Sequence, residues 1–354
     1  MQGPQQRLTQ YWGYTSFRAP QEDIINALVS CQDVLAVLPT GSGKSLCYQI
    51  PGLLNEGICV VISPLVALME DQVNDLMGRN IKAIALAGPQ SPEEMMRIFD
   101  LFRHGGYKFL YVAPERLKQE LVLDFLKTID INLWAIDEAH CIAQWGFDFR
   151  PAYQQLKVLR QLQPQTPILA LTGTATEEIT AEITNALELR EPKIFSRPLI
   201  KENIQLFIEQ REDVFERILA IAKAQKGSGI VYVPTRKLSE QYAHNLKNKG
   251  LDCAFFHGGM DQKQKQTALK NWLTRPAQVM VATSAFGMGI NHAGVRFVIH
   301  TFVPDAIESY IQEIGRAGRD GAPAQAWLIY HQHDIAQFKR RKKNQILNTE
   351  DIKQ

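Results

Sequence analysis

The sequence predicts an α/β protein of two tandem domains, each a mainly parallel β-sheet flanked by helices. Short apolar runs rich in β-branched residues alternate with longer amphipathic segments, which is typical of βαβ units on a parallel sheet. The alternation restarts after residue 200, and a chain of 354 residues exceeds what one hydrophobic core usually serves. We therefore expect one domain at residues 1–198 and a second at residues 199–354.

The predicted strands each end at a turn residue or at a polar motif. They are 34–38, 59–63, 109–112, 133–137 and 168–172 in the first domain, and 205–208, 229–233, 254–257, 279–283, 297–300 and 327–330 in the second. Residues 190–198 lie between the two series, and they are polar, interrupted by prolines and without a helical period. We interpret this segment as the hinge.

Composition and cysteine usage exclude several classes of protein. Apolar residues make up 45% and charged residues 21%, as in globular proteins, and the net charge of +2 makes any binding to a polyanion depend on local clusters. The five cysteines form no C-x-x-C pair, so we expect neither a disulfide framework nor zinc. No apolar run approaches the ~18 residues of a membrane span, and the N-terminus lacks a signal peptide. We expect a cytoplasmic protein with no membrane partner, compatible with association with a bacterial nucleoid.

A glycine-rich turn follows the first predicted strand. Its backbone N–H groups, together with the N-terminus of the following helix, suit binding of phosphate oxygens. Lys44 would reach the β- and γ-phosphates, and the Ser45 hydroxyl would take one position on Mg²⁺. Leu38 occupies the first glycine position of the strict motif, so an ordinary glycine turn is the alternative. The candidate residues are Thr40, Gly41, Ser42, Gly43, Lys44 and Ser45.

An acidic pair ends another predicted strand of the same domain. Asp137 would supply an acidic contact to the metal, and Glu138 would polarise an attacking water. The pair weakens the alternative of an ordinary turn, because a phosphate-binding turn and an acidic strand end are both needed to cleave a triphosphate. The sequence therefore predicts a site for ATP and Mg²⁺.

A segment before the phosphate-binding turn offers contacts to a base. The amide of Gln21 has a donor and an acceptor, which match the Hoogsteen edge of adenine, and Arg18 lies beside it. Tyr14 or Phe17 could stack on the base. The alternative is an exposed turn before a helix that starts near Gln21.

Three aromatic residues follow the acidic pair closely. Trp145, Phe147 and Phe149 alternate with other residues and precede Arg150. Aromatic faces can stack on bases, at about 1–3 kcal/mol per base, and an arginine can contact phosphate. The alternative is packing in the hydrophobic core, which is harder for three aromatics in a loop that contains a glycine.

These motifs, in this order, resemble those of RecQ DNA helicases. The matching segments are Phe17-Arg18-x-x-Gln21, residues 40–49, Ser63-Pro64-Leu65, residues 113–117, residues 137–142, residues 144–151 and Leu171-Thr172. The resemblance extends from about Leu8 to about Arg341. It implies two RecA-like domains with ATP between them, and 3′-to-5′ movement on single-stranded or forked DNA in repair or recombination. It also implies that the aromatic segment couples DNA to hydrolysis, although Phe147 stands where bacterial members usually have histidine.

An arginine-rich motif lies in the second domain. Arg316 and Arg319 stand among glycines, and a guanidinium suits the spread charge of a transferring phosphoryl group. A surface salt-bridge cluster is the alternative. The resemblance makes Arg319 an arginine finger, Arg316 a second contact to the γ-phosphate and Gln312 a water-positioning residue. It assigns contacts to the DNA backbone to Ser63-Pro64-Leu65, Pro114-Glu115-Arg116, Thr235-Arg236 and His257-Gly258-Gly259.

Other interpretations stay open from the sequence. The basic run at residues 339–343 is either a solvated helix face or a salt-dependent DNA contact. The chain stops where full-length bacterial relatives usually carry a zinc module and a winged-helix domain, so we expect weaker engagement of duplex DNA. An RNA helicase, or a nucleic-acid remodelling or annealing ATPase without processive unwinding, is the alternative function. No protein partner is indicated.

Overall fold

The computed structural model describes residues 3–39, 41–86, 88, 90–143, 150–198, 200–275, 279–286, 292–336 and 338–340. The chain divides into two compact units, Met1–Leu199 and Ile200–Gln354. Each unit has its own hydrophobic cores.

The first unit is a seven-stranded parallel sheet covered by helices on both faces. Its strands are β1 (Val34–Val37), β2 (Ile58–Ile62), β3 (Ala83–Leu86), β4 (Phe109–Val112), β5 (Ile131–Ile136), β6 (Ile168–Thr172) and β7 (Lys193–Ser196). They pair in the order β3-β4-β2-β5-β6-β1-β7, and every described pairing is parallel. The helices are α1 (Pro4–Trp12), α2 (Gln21–Val29), α3 (Leu46–Leu54), α4 (Val66–Gly78), α5 (Pro92–His104), α6 (Glu120–Thr128), α7 (Val158–Leu162) and α8 (Glu177–Ala186).

Side chains alternate between the two faces of this sheet, and a hydrophobic core lies on each face. Val60 and Ile62 of β2 pack in one core, whereas Cys59 and Val61 pack in the other. Successive side chains of a strand point to opposite faces, and both faces of a parallel sheet are covered by crossover helices. The central strands are therefore apolar throughout, and β1, β2 and β4 are buried along their whole length.

The second unit is a six-stranded parallel sheet that is also covered by helices on both faces. Its strands are β8 (Ile204–Gln210), β9 (Ser228–Tyr232), β10 (Cys253–Phe256), β11 (Val279–Ala282), β12 (Val295–His300) and β13 (Ala324–Tyr330). They pair in the order β10-β11-β9-β12-β13-β8, again parallel in every described pairing. The helices in the described part of this unit are α9 (Val214–Ala224), α10 (Arg236–Asn248), α11 (Gln262–Thr274) and α12 (Ile307–Ile314).

The predicted fold class is confirmed, and every strand predicted from the sequence is present near its predicted position. Two edge strands, β3 and β7, were not predicted. Part of the segment 190–198, which we interpreted as the hinge, forms β7, and this strand pairs with β1, so residues 193–196 belong to the first sheet. Asp33, just before β1, bonds to this segment. Its backbone oxygen accepts from Lys193 N at 2.9 Å, and its carboxylate accepts from Arg190 N at 2.7 Å.

Two findings concern membranes and thiols. No helix in the described part of the chain is long and apolar enough to cross a bilayer. All five cysteines lie among the described residues and are free thiols.

Candidate active site

The phosphate-binding turn joins β1 to α3 at the carboxyl edge of the first sheet. Gly41 and Gly43 both have φ of 79°, a left-handed conformation that glycine adopts without strain. A Cβ at position 43 would lie 2.5 Å from Gln21 Nε2, so a close approach also requires glycine there. Leu46 N donates to Gly43 O at 3.1 Å, which starts the helical turn directly after the glycine. The predicted residue Thr40 lies outside the described residues.

Buried polar atoms in this turn are suited to bind an anionic group. Ser42 Oγ and Lys44 Nζ are buried, and neither has a hydrogen-bond partner among the described residues. A buried ammonium without an acceptor is unfavourable, and a phosphate oxygen would satisfy it. Backbone N–H groups at the start of α3 favour the same charge. The residues present therefore fit a bound polyphosphate.

The acidic pair lies at the carboxyl end of β5, on the same sheet edge as the turn. Asp137 N donates to Ile62 O at 2.9 Å, and Glu138 N donates to Asp137 Oδ1 at 3.0 Å. Glu138 has φ of 49°, a left-handed conformation that is uncommon for a residue with a side chain. Such backbone geometry persists only where the surrounding structure fixes it.

Burial and neighbouring charges shift the pKa of Asp137. Burial, and then the neighbouring Glu138 carboxylate, raise the pKa of Asp137 above its ordinary value, while the Lys44 ammonium acts in the opposite direction. Lys44 and Asp137 are thus electrostatic neighbours within the first unit. A divalent cation at Asp137 would favour its ionised form.

Magnesium fits this set of ligands. Ser45 and Asp137 are the two predicted protein ligands, and Mg²⁺ is usually bound by one or two side chains together with substrate phosphates and water. Among the described residues, no group of three or more His, Cys, Asp or Glu side chains is arranged to hold a metal by itself.

Residues that the sequence analysis did not assign support the acidic pair. Tyr153 is fully buried, and its hydroxyl donates to Asp137 O at 2.8 Å. His140 Nδ1 lies 2.9 Å from Thr172 Oγ1 and 3.4 Å from Glu138 Oε2, so it links the acidic strand end to the end of β6. A tyrosine shortly after the Arg150-Pro151 pair is a weak signal, because only the folded sheet brings it to Asp137.

Gln21 contacts the phosphate-binding turn. The side chain is 2% exposed, its Nε2 donates to Ser42 O at 3.0 Å and Gly43 O at 3.1 Å, and its Oε1 accepts from Arg18 N at 2.9 Å. Both ends of the amide are used within the chain, so Gln21 positions the turn. Arg18 Nη1 also reaches Gly41 O at 3.5 Å, and Tyr14 is 55% exposed. Contact of these residues with adenine stays a prediction.

Part of the predicted DNA-coupling segment is described. Residues 144–149, which include Trp145, Phe147 and Phe149, lie outside the described residues. Arg150 Nη1 donates to Pro64 O at 2.9 Å, and Arg150 N donates to Cys141 O at 3.0 Å. Arg150 therefore joins the acidic motif to the Ser63–Leu65 segment that follows β2.

The arginine motif of the second unit forms a turn at the end of α12, and side-chain hydrogen bonds hold this turn. Gln312 lies inside that helix. Burial, and then the positive charge of Arg316, lower the pKa of Arg319 to about 10, so its guanidinium stays protonated at neutral pH. Arg316 is 7% exposed. Glu313 Oε2 lies 2.6 Å from His300 Nε2 in a buried contact that fixes the helix against β12.

Two further residues, which the sequence analysis did not single out, hold the carbonyls of this turn. Lys201 Nζ donates to Gly315 O at 2.8 Å, and Asn203 Nδ2 donates to Gly318 O at 2.9 Å and Ala322 O at 2.7 Å. Gly318 has φ of 56°, and a Cβ there would lie 2.3 Å from Asn203 Nδ2. The sequence gives little sign of this role, because these residues lie far from the turn along the chain.

Two parallel-sheet units, the first carrying a phosphate-binding turn and an Asp-Glu pair, define the class of helicase-type proteins with tandem RecA-like domains. The family model for DEAD/DEAH box helicases matches residues 18–182, and that for the helicase conserved C-terminal domain matches residues 210–321. A solved structure of Mss116p bound to single-stranded RNA and AMP-PNP aligns with a TM-score of 0.74. That alignment covers 97% of this chain and 75% of the other at 19% identity, so it shows a shared fold.

Curated relatives narrow the class to one family. The chain is 39% identical to the ATP-dependent DNA helicase RecQ of Synechocystis sp., over 93% of this chain and 71% of that relative. It is 43% identical to the probable ATP-dependent DNA helicase RecS of Bacillus subtilis, over 92% of this chain and 66% of that relative. The chain belongs to the RecQ helicase family, which confirms the resemblance of its motifs. It spans 66%, 52% and 53% of the lengths of the first three curated relatives.

Proposed function

We propose that this chain is the motor core of an ATP-dependent DNA helicase that moves 3′-to-5′ on single-stranded DNA. The observation that carries the nucleotide part is the buried Lys44 Nζ, which lacks an acceptor among the described residues and whose charge acts on Asp137. A triphosphate would supply an acceptor for this ammonium. The relatives are named ATP-dependent DNA helicases, and these names support DNA as the nucleic acid on which the chain acts.

Each residue of the first unit has a distinct role in this proposal. The backbone of Gly41–Lys44 and the Lys44 ammonium hold the phosphates, and Gln21 fixes the shape of that turn. Ser45 and Asp137 hold Mg²⁺, which neutralises phosphate charge when bound. Glu138 orients and polarises the attacking water, with His140 beside its carboxylate.

The second unit would supply charge for the transition state. Arg319 and Arg316 carry guanidinium groups that suit a transferring phosphoryl group, and Gln312 would position water. Lys201 and Asn203 would keep the turn in shape.

The DNA contacts are proposed for loops that follow strands. Ser63–Leu65 follows β2, Pro114–Arg116 begins a short 3₁₀ helix after β4, and Arg150 bonds to the first of these segments. Backbone N–H groups and hydroxyls at such loops suit contacts to phosphate, which carry no sequence information. Single-stranded or forked DNA is therefore the proposed partner, and repair or recombination the proposed setting.

Steady-state ATP hydrolysis in the presence of nucleic acid tests this proposal. We expect turnover to rise with single-stranded DNA and to rise much less with RNA of the same length and sequence. Lys44→Ala should lose turnover with either polymer, whereas Lys127→Ala, a change at a side chain that is 57% exposed, should behave as the parent. Equal stimulation by RNA would contradict the assignment of DNA. Turnover retained in Lys44→Ala would contradict the assignment of the site.

A further inference from the structure

The edge of the second sheet carries a groove of about 560 Å³, far from the arginine turn in the order of strands. It is bounded by α10 and α11, and its floor is the edge strand β10 with Met260 beyond it. Cys253 packs in the core shared with α10, whereas Ala254 and Phe256 pack in the core shared with α11. The two helices therefore cover opposite faces of the sheet, and the groove opens between them at its edge.

The floor of the groove offers unpaired strand backbone. Among the described residues, β10 pairs with β11 alone. Val279 N donates to Asp252 O at 2.9 Å, and Thr283 N donates to Phe256 O at 3.2 Å. Hydrogen bonds of a parallel strand alternate in direction, so the N–H and C=O groups of Cys253 and Phe255 face the open edge. Phe255 is also 37% exposed, so apolar surface lies beside this open edge.

The rim of the groove is basic. The groove lining includes two lysines, Lys247 and Lys263, and a single carboxylate, Glu240. That carboxylate is engaged, since its Oε1 lies 2.9 Å from His257 Nε2. Near the ends of the groove, Asp252 pairs with Arg275 and Asp261 caps the start of α11. Lys247 lies near the end of α10, before β10 begins, and Lys263 lies in the first turn of α11, after β10 ends. Positive charge thus stands at both ends of an apolar slot.

We propose that this groove docks an extended segment of a partner protein, apolar in its centre and acidic at both ends, which adds a strand beside β10. Main-chain hydrogen bonds to Cys253 and Phe255 would give affinity, as in other cases of strand addition. The apolar centre would fill the space between the two helices, and the acidic ends would meet Lys247 and Lys263. A nucleic acid is less suited, because its phosphates would leave the apolar floor and the strand edge unfilled.

The test uses a fluorescein-labelled peptide of eight residues, with two acidic residues at each end and four β-branched apolar residues between them. We expect saturable binding to the parent chain, measured by fluorescence anisotropy. The double variant Lys247→Glu with Lys263→Glu should weaken binding about tenfold or more, which corresponds to about 1.4 kcal/mol. The matched pair Lys249→Glu with Lys270→Glu changes the same charges outside the groove lining and should bind as the parent. Thr267→Trp, which fills the groove from an exposed position, should also block binding.

Amide exchange gives a second readout at residue resolution. Peptide should slow exchange at the N–H groups of Cys253 and Phe255, and change it little at Ala254 and Phe256, whose N–H groups face β11. DNA-free ATP hydrolysis should stay unchanged in every groove variant, which separates this proposal from the proposed motor function. No binding by the parent, or equal weakening in the groove pair and the matched pair, would overturn the proposal. Loss of affinity for a single-stranded oligonucleotide in the groove pair, with no peptide binding by the parent, would assign the groove to nucleic acid instead.

Discussion

Glu138 is held in an unusual backbone conformation at the end of β5. Its φ of 49° turns the chain sharply after Asp137, and the hydroxyl of Tyr153 and the side chain of His140 support the turn. Glu138 Oε2 is buried and accepts no hydrogen bond from the described residues. An atom of this kind is suited to bind a water molecule, so the local geometry favours the proposed role of Glu138 as a general base.

Glu138→Gln should keep ATP bound and block its cleavage. The amide preserves the size of the side chain but cannot accept a proton, and removal of a general base typically costs about 10²–10⁴ in rate. Filter binding of labelled ATP and steady-state hydrolysis would measure the two effects separately. A variant that hydrolyses ATP at nearly the parent rate would remove Glu138 from the chemistry.

Arg319→Ala should slow hydrolysis severely and leave the affinity for ATP nearly unchanged. Its proposed partner is charge that develops in the transition state, and arginine fingers are worth about 10³–10⁵ in rate. kcat and kcat/KM should fall together, with KM constant. Arg319→Lys should rescue little, because an ammonium lacks the planar fork of a guanidinium. An increase in KM with constant kcat would mean that Arg319 binds the ground-state nucleotide.

At the scale of elements, the turn after α12 depends on side chains from the segment just before β8. Asn203 donates to two carbonyls of this turn, and Lys201 donates to a third. Short glycine-rich turns cannot hold a fixed shape through packing alone, because they have few side-chain atoms. The positions of Arg316 and Arg319 therefore depend on these donors.

Asn203→Ala should lower kcat, because the turn that carries Arg316 and Arg319 loses its shape, and it should also destabilise the second unit. Gly318 O keeps its bond from Gly321 N at 3.1 Å, whereas Ala322 O loses its donor, and an unsatisfied buried group costs about 1–3 kcal/mol. We expect a lower unfolding midpoint in urea, together with a lower kcat at an unchanged affinity for ATP. Asn248→Ala, at an exposed helix end, is the matched control. If kcat stays at the parent value while the midpoint falls, Asn203 contributes to stability alone.

The strand pattern shows what the sequence could and could not predict. The central strands are buried on both faces, so they appear as apolar runs that end at the functional motifs. Strand β7 has mostly exposed side chains and produces no such run, whereas β3 is an apolar run but is only four residues long, alanine-rich and partly exposed. What makes β7 a strand is its pairing with β1 and the bonds to Asp33, which are contacts between residues distant in sequence.

Some residues of the candidate site were likewise predictable from the sequence, and others were not. Lys44, Asp137 and Glu138 were predictable because their chemistry requires particular residue types directly after strands. Tyr153, Lys201 and Asn203 were not, since they act by reaching backbone groups that only the folded sheet brings near. Gln21 was predicted as a base contact, and the structure adds a local role in which its amide holds the phosphate-binding turn.

At the scale of the whole molecule, coupling between DNA and hydrolysis depends on the segment after the acidic pair. Trp145→Ala should leave basal ATP hydrolysis intact and lose its stimulation by single-stranded DNA. The reason is that aromatic faces can stack on bases close to the catalytic carboxylates along the chain. Hydrolysis with and without an oligonucleotide would measure both quantities. Stimulation as strong as in the parent, or loss of folding by circular dichroism, would contradict the coupling role.

The central claim is that ATP hydrolysis moves this chain in one direction along single-stranded DNA. Displacement of streptavidin from biotinylated oligonucleotides measures that movement directly, because a translocating protein removes streptavidin only from the end toward which it moves. We predict ATP-dependent displacement from the 5′ end, little from the 3′ end, and none from either end with Glu138→Gln. Displacement from the 3′ end, or active hydrolysis without displacement from either end, would contradict the account.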